Sequence, residues 1–324
     1  MRLLSIGDQV RAGTYTFHSR FKHVVNFERR GRLISVVDAT LGLGPLNIVL
    51  RGLRFTQAQG HAEPAPSILK GLHYSAQGWI APPYPGDPTL GKGPRKAPNP
   101  ERVESRHPFG SLLQVSLSTV LFEGRCYPFT AGHRYDSTLD CQVEDLRRFQ
   151  RNLSALAESL KAAAPPKSLA FLLDGKRRKH FRGGFERAFA GQITRGVHQV
   201  FHGRLLQGIR QLKGCGPGLT PAGDDFIAGL LIGLHLTGKL RGQDSQPTAD
   251  AVFRAARGEN IFSNTFLDLA RRGLLFGRMK DLIMALTAGN QTAVRQAARK
   301  IYTVGETSGA DLASGLFMTL QSAL

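Results

Sequence analysis

Short apolar runs separated by turn residues dominate the first 139 residues, a pattern typical of β-strands. Two of these runs, His23–Phe27 and Leu33–Val37, flank Arg29-Arg30-Gly31, which predicts a hairpin. Another strand is predicted after the glycine-proline turn at 42–45, and strand character returns over residues 111–131. We therefore predict a β-rich N-terminal domain over residues 1–139, built as a small barrel or a sandwich.

Proline and glycine interrupt that domain. The stretch near residues 81–108 is rich in proline. Proline donates no backbone hydrogen bond and breaks helices, so neither a long helix nor a central strand is expected there. This insertion is predicted to be either an ordered connecting loop or a mobile segment.

The spacing of apolar residues changes to a helical period near residue 140. Leucines recur at positions 146, 153, 156 and 160, mostly on one helix face. Similar spacing predicts helices from residue 181 to residue 304, including an almost wholly apolar helix from Phe226 that should be buried on all sides. The predicted fold class is α+β. The β-rich N-terminal half packs on a mostly α-helical C-terminal half, residues 140–324, which has a buried central helix.

A glycine loop, residues 214–225, leads into the central helix. After its glycines comes Thr220, whose hydroxyl suits a helix N-cap, and then Pro221, which suits the first helical position. Asp224 and Asp225 fall in the first turn, where carboxylates meet the positive end of the helix dipole.

This loop has two interpretations. Unpaired N–H groups at a helix start bind anions, which makes Gly216, Gly218, Thr220 and Gly223 candidate ligand-binding residues. The aspartates would repel a bare anion, so they point away, bind a metal or cationic group, or accept hydrogen bonds from a ligand. The other interpretation is a well-capped core helix with a tight entry turn. The loop is not a Walker A sequence, because no Lys-Ser/Thr pair follows its last glycine.

A second stretch echoes the first. Residues 223–230 and 309–316 both read Gly-x-Asp-x-x-x-Gly-Leu, and both follow a polar turn. The second turn supplies Thr307, Ser308 and Gly309 as candidate ligand-binding residues, and Asp311 as the counterpart of Asp225. Two such helix starts could face one site, although chance similarity is an alternative because glycine and leucine are common in this chain.

The net charge of +19 favours acidic partners, such as nucleic acid, acidic proteins or anionic substrates. The densest basic run is residues 176–182. It is interpreted either as a solvated surface or as a nucleic-acid patch, and the only aromatic residues near it are Phe181 and Phe185. Nucleic-acid binding is therefore the weaker alternative.

The apolar runs and the cysteines of the sequence indicate where in the cell the protein is located. The longest apolar run is too short for a transmembrane helix, and the N-terminus lacks the apolar region of a signal peptide. Cys126, Cys141 and Cys215 form neither a disulfide framework nor a metal-binding spacing. We therefore expect a cytoplasmic protein without contact to a membrane, without a metal and without a cofactor.

The string Gly-Pro-Gly-Leu-Thr-Pro-x-Gly-Asp-Asp at residues 216–225 resembles the AllH family, one of whose members is a subunit of oxamate carbamoyltransferase. Four further stretches follow the same family pattern: 18–19, 25–27, 42–50 and 307–315. The resemblance implies a carbamoyltransferase subunit that works with two other subunits in ureide catabolism, the breakdown of allantoin and purines. The substrates it implies are small anionic amides and phosphates, namely oxamate, oxalurate and carbamoyl phosphate.

The residues fit this chemistry in the following way. Helix-start amides would bind the carboxylate or phosphate, and Asp224, Asp225 and Asp311 are the candidate catalytic residues that accept from the carbamoyl N–H groups. Asn47 is either a polar contact for the ligand or a turn-capping residue. Cys215 and His18 are expected to have structural roles. A basic nucleic-acid-binding protein and a non-catalytic partner subunit remain the alternatives.

Overall fold

In a computed structural model that describes residues 1–53 and 112–324, nine β-strands of the N-terminal half form one curled sheet. The strands are β1 Arg2–Gly7, β2 Gly13–Phe21, β3 Val24–Arg29, β4 Arg32–Asp38, β5 Asn47–Arg51, β6 Leu112–Val115, β7 Thr119–Phe122, β8 Arg125–Pro128 and β9 Arg134–Tyr135. The predicted insertion near 81–108 lies outside the described residues.

The order of the strands across the sheet is β8-β7-β6-β2-β3-β4-β5-β1-β9. Most neighbours are antiparallel, but β4 pairs with β5, and β1 with β9, in parallel. The sheet curls until β8 lies against β1, so the barrel-like alternative describes it. The hairpin between β3 and β4 is confirmed: Arg30 and Gly31 both have positive φ, as a tight two-residue turn requires.

The helical half follows the predicted pattern closely. Its helices among the described residues are α1 Leu146–Ala163, α2 Gly184–Phe201, α3 Leu205–Leu212, α4 Ala222–Arg241, α5 Gln246–Ala256, α6 Ile261–Arg271, α7 Gly277–Thr287, α8 Gln291–Ile301 and α9 Ser308–Ala323. Helix α4 is buried at every position from Ala222 to Gly233, so the predicted central helix is confirmed. None of the helices in these residues combines the length and apolar character that a membrane span needs.

Helices α4 and α9 cross with their backbones in contact. A Cβ atom placed on Gly229 would lie 1.9 Å from the carbonyl oxygen of Leu312, and one on Gly315 would lie 2.1 Å from that of Phe226. Real Cβ atoms do not approach so closely, so only glycine permits this crossing. The contact is reciprocal, because Phe226 and Leu312 hold matching positions in the two echoed stretches.

The sheet packs on the helices through helix α6. Leu269 of α6 and the following Leu274 pack with the apolar core of the sheet. Arg32 of β4 donates to Asp268 at 3.1 Å on the same helix. The α+β architecture predicted from the sequence is therefore confirmed, while the boundary placed at residues 139/140 stays a prediction.

Candidate functional site

The start of α4 differs by one residue from the prediction. Helix α4 begins at Ala222, and Pro221 rather than Thr220 takes the N-cap position. The carbonyl of Pro221 accepts from the amides of Asp224 and Asp225, at 2.9 and 3.0 Å. Thr220 therefore lies one residue before the cap, and its hydroxyl donates to the Asp225 carboxyl, with Oγ1 3.2 Å from Oδ2.

The glycine loop before α4 carries amides that are free to bind an acceptor. Within residues 1–53 and 112–324, no protein atom accepts from the amides of Gly216, Gly218, Leu219 or Thr220. Gly216 and Thr220 are half-buried, while the loop from 217 to 219 is exposed. Gly216 and Gly218 have φ of +119° and +105°, which favours glycine at both positions. The loop therefore presents amides to solvent at a helix start.

The start of α9 meets this loop directly. Oγ1 of Thr220 lies 3.2 Å from Oγ of Ser308. Thr307 and Ser308 are both half-buried, and their amides likewise find no acceptor within the described part of the chain. The structure thus brings together the two helix starts that share the Gly-x-Asp-x-x-x-Gly-Leu pattern.

The similarity between the two starts extends backward into the preceding helices. At the first start, the Cys215 amide donates to the carbonyl of Leu212 at the end of α3, and the Gly223 amide donates to the carbonyl of Cys215 at 2.8 Å. A Cβ on Gly223 would lie 1.9 Å from the Leu212 carbonyl oxygen. Glycine is therefore required where the loop passes under the helix end.

The second start repeats each of these contacts. The Val304 amide donates to the carbonyl of Ile301 at the end of α8, and the Gly309 amide donates to the carbonyl of Val304 at 3.0 Å. A Cβ on Gly309 would again lie 1.9 Å from a carbonyl oxygen, that of Ile301. The pairs α3–α4 and α8–α9 are thus two copies of one helix–loop–helix unit, in which Asp225 and Asp311 hold the same position.

The carboxylate of Asp224 turns back onto its own loop. Oδ1 accepts from the amide of Gly214 at 2.7 Å, and the residue is buried. Burial raises the pKa of this carboxyl, although the hydrogen bond from Gly214 opposes the shift. Asp224 therefore holds the glycine loop against the first turn of α4.

Asp225 and Asp311 form a buried carboxyl pair beneath the two starts. Asp225 is 8% exposed and Asp311 is 0% exposed. Burial, followed by the charge of Asp311, raises the pKa of Asp225 well above its usual range. Burial raises the pKa of Asp311 to about 7, against the opposing hydrogen bond from the Leu169 amide. Both carboxyls are therefore protonated more readily than exposed aspartates.

Asp311 also has an oxygen with no partner. Its Oδ1 accepts from the amide of Leu169 at 2.6 Å, while Oδ2 is buried without a hydrogen-bond partner among the described residues. A neutral carboxyl tolerates such a position far better than a carboxylate does. The bond to Leu169 was not foreseen, because the sequence offers no signal that this amide lies near Asp311.

Asn47 lies at the beginning of β5. Its Nδ2 donates to the carbonyl of Gly42 at 3.3 Å and so closes the glycine-proline turn. This contact matches the turn-capping alternative. No hydrogen bond joins Asn47 to the Thr220–Ser308 group within the described residues.

The remaining candidates have structural contacts. Cys215 is buried under α4, and burial raises the pKa of its thiol to about 12, which suits packing rather than nucleophilic chemistry. In the basic run, Arg177 donates to the carbonyls of Ala164 and Pro165, and Arg178 lies over the ring of Phe171. Much of this run is therefore occupied by the protein itself.

Two surface grooves are found elsewhere in the described residues. One, of about 390 Å³, is lined by α1 and the end of α9, and the other, of about 540 Å³, by α7 and α8. Neither is lined by a predicted site residue. Among residues 1–53 and 112–324, no group of three or more His, Cys, Asp or Glu side chains is arranged to hold a metal ion.

Comparison with known proteins points to the same part of the chain. The family model described as oxamate carbamoyltransferase subunit AllH matches residues 212–320, about a third of the sequence. This segment begins at the end of α3 and includes both helix starts. No solved structure was found to match the chain. Over residues 212–320 the resemblance to the AllH family is confirmed, and this segment is similar to a subunit of oxamate carbamoyltransferase.

Proposed function

We propose that this protein is a subunit of a carbamoyltransferase-like enzyme and binds a small anionic amide or phosphate between the two helix starts. The observation that supports this proposal most directly is the 3.2 Å approach of Thr220 and Ser308. Around this contact, two loops offer amides without acceptors, and each loop leads into the positive end of a helix.

The amides and hydroxyls of the two loops form the rim of the proposed site, and this rim binds the ligand. Amides of Gly218 and Leu219 on one loop, and of Thr307 and Ser308 on the other, donate to the carboxylate or phosphate oxygens. The hydroxyls of Thr220 and Ser308 complete the rim. Donors that are fixed before the ligand arrives are also those that stabilise a charged tetrahedral intermediate in carbamoyl transfer.

The carboxyl pair acts from below the rim. Asp225 accepts from the Thr220 hydroxyl and so orients it, and Asp311 lies deeper still. Because burial raises the pKa of both carboxyls, they carry less negative charge beneath a bound anion than two exposed carboxylates would. We propose that they position the rim, and that direct contact with a carbamoyl N–H group requires the rim to open.

Partner subunits fit this proposal. The family description is that of one subunit of an enzyme, and the net charge of +19 suits acidic partners as well as anionic ligands. Nucleic acid is the less favoured partner, since Arg177 and Arg178 of the densest basic run contact the protein's own backbone and rings.

Thermal unfolding of the full chain tests the binding site. A ligand that binds only the folded state adds about 2.7 kcal/mol at 100 times its Kd, which raises the Tm by several degrees. We expect inorganic phosphate, oxamate or carbamoyl phosphate to produce such a rise. Sodium chloride at the same ionic strength serves as the control for general salt effects.

Variants test whether the ligand-induced rise in Tm depends on the glycine loop before α4. Gly218→Val places a branched side chain where φ is +105° and should abolish the rise in Tm. Gly242→Asn changes another positive-φ glycine, at the C-terminal end of α4, and should leave ligand binding unchanged. If none of the three ligands raises the Tm of the unmodified protein, the proposed function is wrong.

A further inference from the structure

A row of polar side chains crosses four neighbouring strands of the sheet. Ser19 of β2 pairs with Asn26 of β3, which pairs with Ser35 of β4, which pairs with Asn47 of β5. Directly paired residues point to the same face of a sheet, so the four side chains form one continuous line.

This row is unusual for its surroundings. Asn26 is 4% exposed, and it sits between Val25 and Phe27, which face the opposite side and enter the sheet core. On its own face, Leu33 and Val37 flank Ser35, and both are buried. Polar groups among buried apolar ones reduce stability unless they are hydrogen-bonded, so the side chains of this row need partners.

Hydrogen bonds connect the row to a histidine. Ser35 Oγ donates to Asn26 Oδ1 at 2.7 Å, and Asn26 Nδ2 donates to Ser19 Oγ at 3.1 Å. Oγ of Ser19 lies 3.0 Å from Nδ1 of His18. Ser19 Oγ can either donate to Nδ1 or accept from it, and donation leaves the ring hydrogen of His18 on Nε2. In that tautomer the exposed imidazole carries a donor on its outer nitrogen.

One end of the row lies beside helix α6, which contacts the first glycine loop. His18 occupies the bulge of β2, where the register shifts between Phe17 and Ser19. Its ring packs edge-on against Phe262 of α6, with the centroids 5.3 Å apart. Asn260, the N-cap of the same helix, donates to the carbonyl of Leu219 at 2.7 Å.

The other end is connected through helix α7 to the segment before α9. Asn47 ends a turn whose Leu43 carbonyl accepts from the amide of Gly277, the first residue of α7. The next residue, Arg278, donates both to the carbonyl of Thr40 and to the hydroxyl of Thr303, at 2.8 and 3.1 Å. Thr303 lies just before the turn that opens α9. Each end of the row is thus connected, through one intervening helix, to one of the two loops that meet at Thr220 and Ser308.

We infer that the polar row is the second wall of the anion site, and that His18 Nε2–H donates to an oxygen of the bound carboxylate or phosphate. This inference rests on the proposed function and adds the residue that contacts the ligand from the sheet. In it, Ser19, Asn26 and Ser35 are positioning residues, and the glycine loops supply the opposite wall.

Calorimetric titration of the full chain with inorganic phosphate, and separately with oxamate, tests this inference. We expect His18→Ala to raise the Kd by about 10- to 100-fold, because a hydrogen bond to a charged group is worth about 1.5–3 kcal/mol. His18→Gln replaces Nε2–H with an amide N–H and should stay within about threefold of the unmodified protein. A structural role for the ring would not predict this rescue.

Controls separate the two proposals. His202→Ala removes another exposed histidine, stacked on His198 at the end of α2, and should leave the Kd unchanged. Unmodified Tm values for the His18 variants would show that the fold is intact. If the unmodified protein binds and His18→Ala binds equally well, the inference about His18 is wrong and the loop site stands. If the unmodified protein binds neither ligand, both proposals are wrong.

Discussion

The hydroxyl oxygens of Thr220 and Ser308 lie 3.2 Å apart, although 88 positions separate them in the sequence. The contact exists because α4 and α9 are equivalent helices of two repeated units and cross through their glycines. Equivalent helices that cross in this reciprocal way place their N-termini on the same side. The repeat therefore accounts for a site with two helix starts, each of which favours an anion.

The contact between these hydroxyls can be measured as a coupling free energy. Thr220→Val removes the hydrogen bond that the Thr220 hydroxyl donates to the buried Asp225 carboxyl and should lower the free energy of unfolding by about 1–3 kcal/mol. Ser308→Ala should cost about 0.5–1.5 kcal/mol. Urea unfolding of both single variants and the double variant should give a coupling of at least about 0.5 kcal/mol. Strictly additive effects would mean that the two hydroxyls do not interact in solution.

Much of this site could be predicted from short sequence patterns. Glycine at 223, 229, 309 and 315 marks places where backbone contacts backbone, and the spacing of these glycines with Asp225 and Asp311 showed the echo. The residue preferences for helix caps gave the wrong N-cap at Thr220. Its hydroxyl suits a cap, but the helix begins one residue later than that cap requires, and the hydroxyl donates to a carboxyl that tertiary packing places beside it.

The rest required three-dimensional information. The repeat extends back to Leu212 and Ile301, which are both apolar but are different residue types. The first loop is also longer by three residues, because Gly223 follows Leu212 by eleven positions whereas Gly309 follows Ile301 by eight. This shift conceals the repeat in the sequence.

The polar row is concealed for a different reason. Ser19, Asn26, Ser35 and Asn47 become neighbours only through strand register, and β4 pairs with β5 in parallel although only a short turn connects them. The bulge at His18 also breaks the alternation that would have indicated which face Ser19 occupies.

The glycine crossing of α4 and α9 should be sensitive to a single methyl group. Gly229→Ala would place Cβ 1.9 Å from the Leu312 carbonyl oxygen, so the helices must separate, and we expect a loss of at least about 1–3 kcal/mol in the free energy of unfolding. Gly191→Ala in α2 is the matched control. There a Cβ meets only the flexible end of Arg195, and the higher helix propensity of alanine should add about 0.5–1 kcal/mol. Equal urea midpoints for the two variants would show that the crossing is looser than described.

The cysteines should differ sharply in reactivity. Cys126 is exposed, whereas burial raises the pKa of Cys215 to about 12 and also raises that of Cys141. We expect iodoacetamide at pH 8 to alkylate Cys126 in the folded protein and to leave Cys215 and Cys141 unmodified, as measured by peptide mass spectrometry. Labelling in urea should modify all three and provides the control. Rapid modification of Cys215 in the folded state would support the catalytic role that its burial argues against.

The carboxyl pair should make stability depend on pH in the opposite sense to an ordinary ion-paired aspartate. Burial raises the pKa of Asp311 from 3.8 to about 7, so the stability that its neutral form supports is complete below pH 3.8 and is lost as the pH rises through about 7. A shift of about three units corresponds to a loss on the order of 4 kcal/mol by pH 8.

Asp311→Asn keeps an oxygen for the Leu169 amide and cannot ionise, so its stability advantage over the unmodified protein should grow between pH 5 and pH 8. Asp140→Asn, at an exposed aspartate, serves as the control and should follow the unmodified protein at every pH. Urea unfolding across this range measures the difference, and parallel curves for Asp311→Asn and the unmodified protein would mean that Asp311 is ionised throughout.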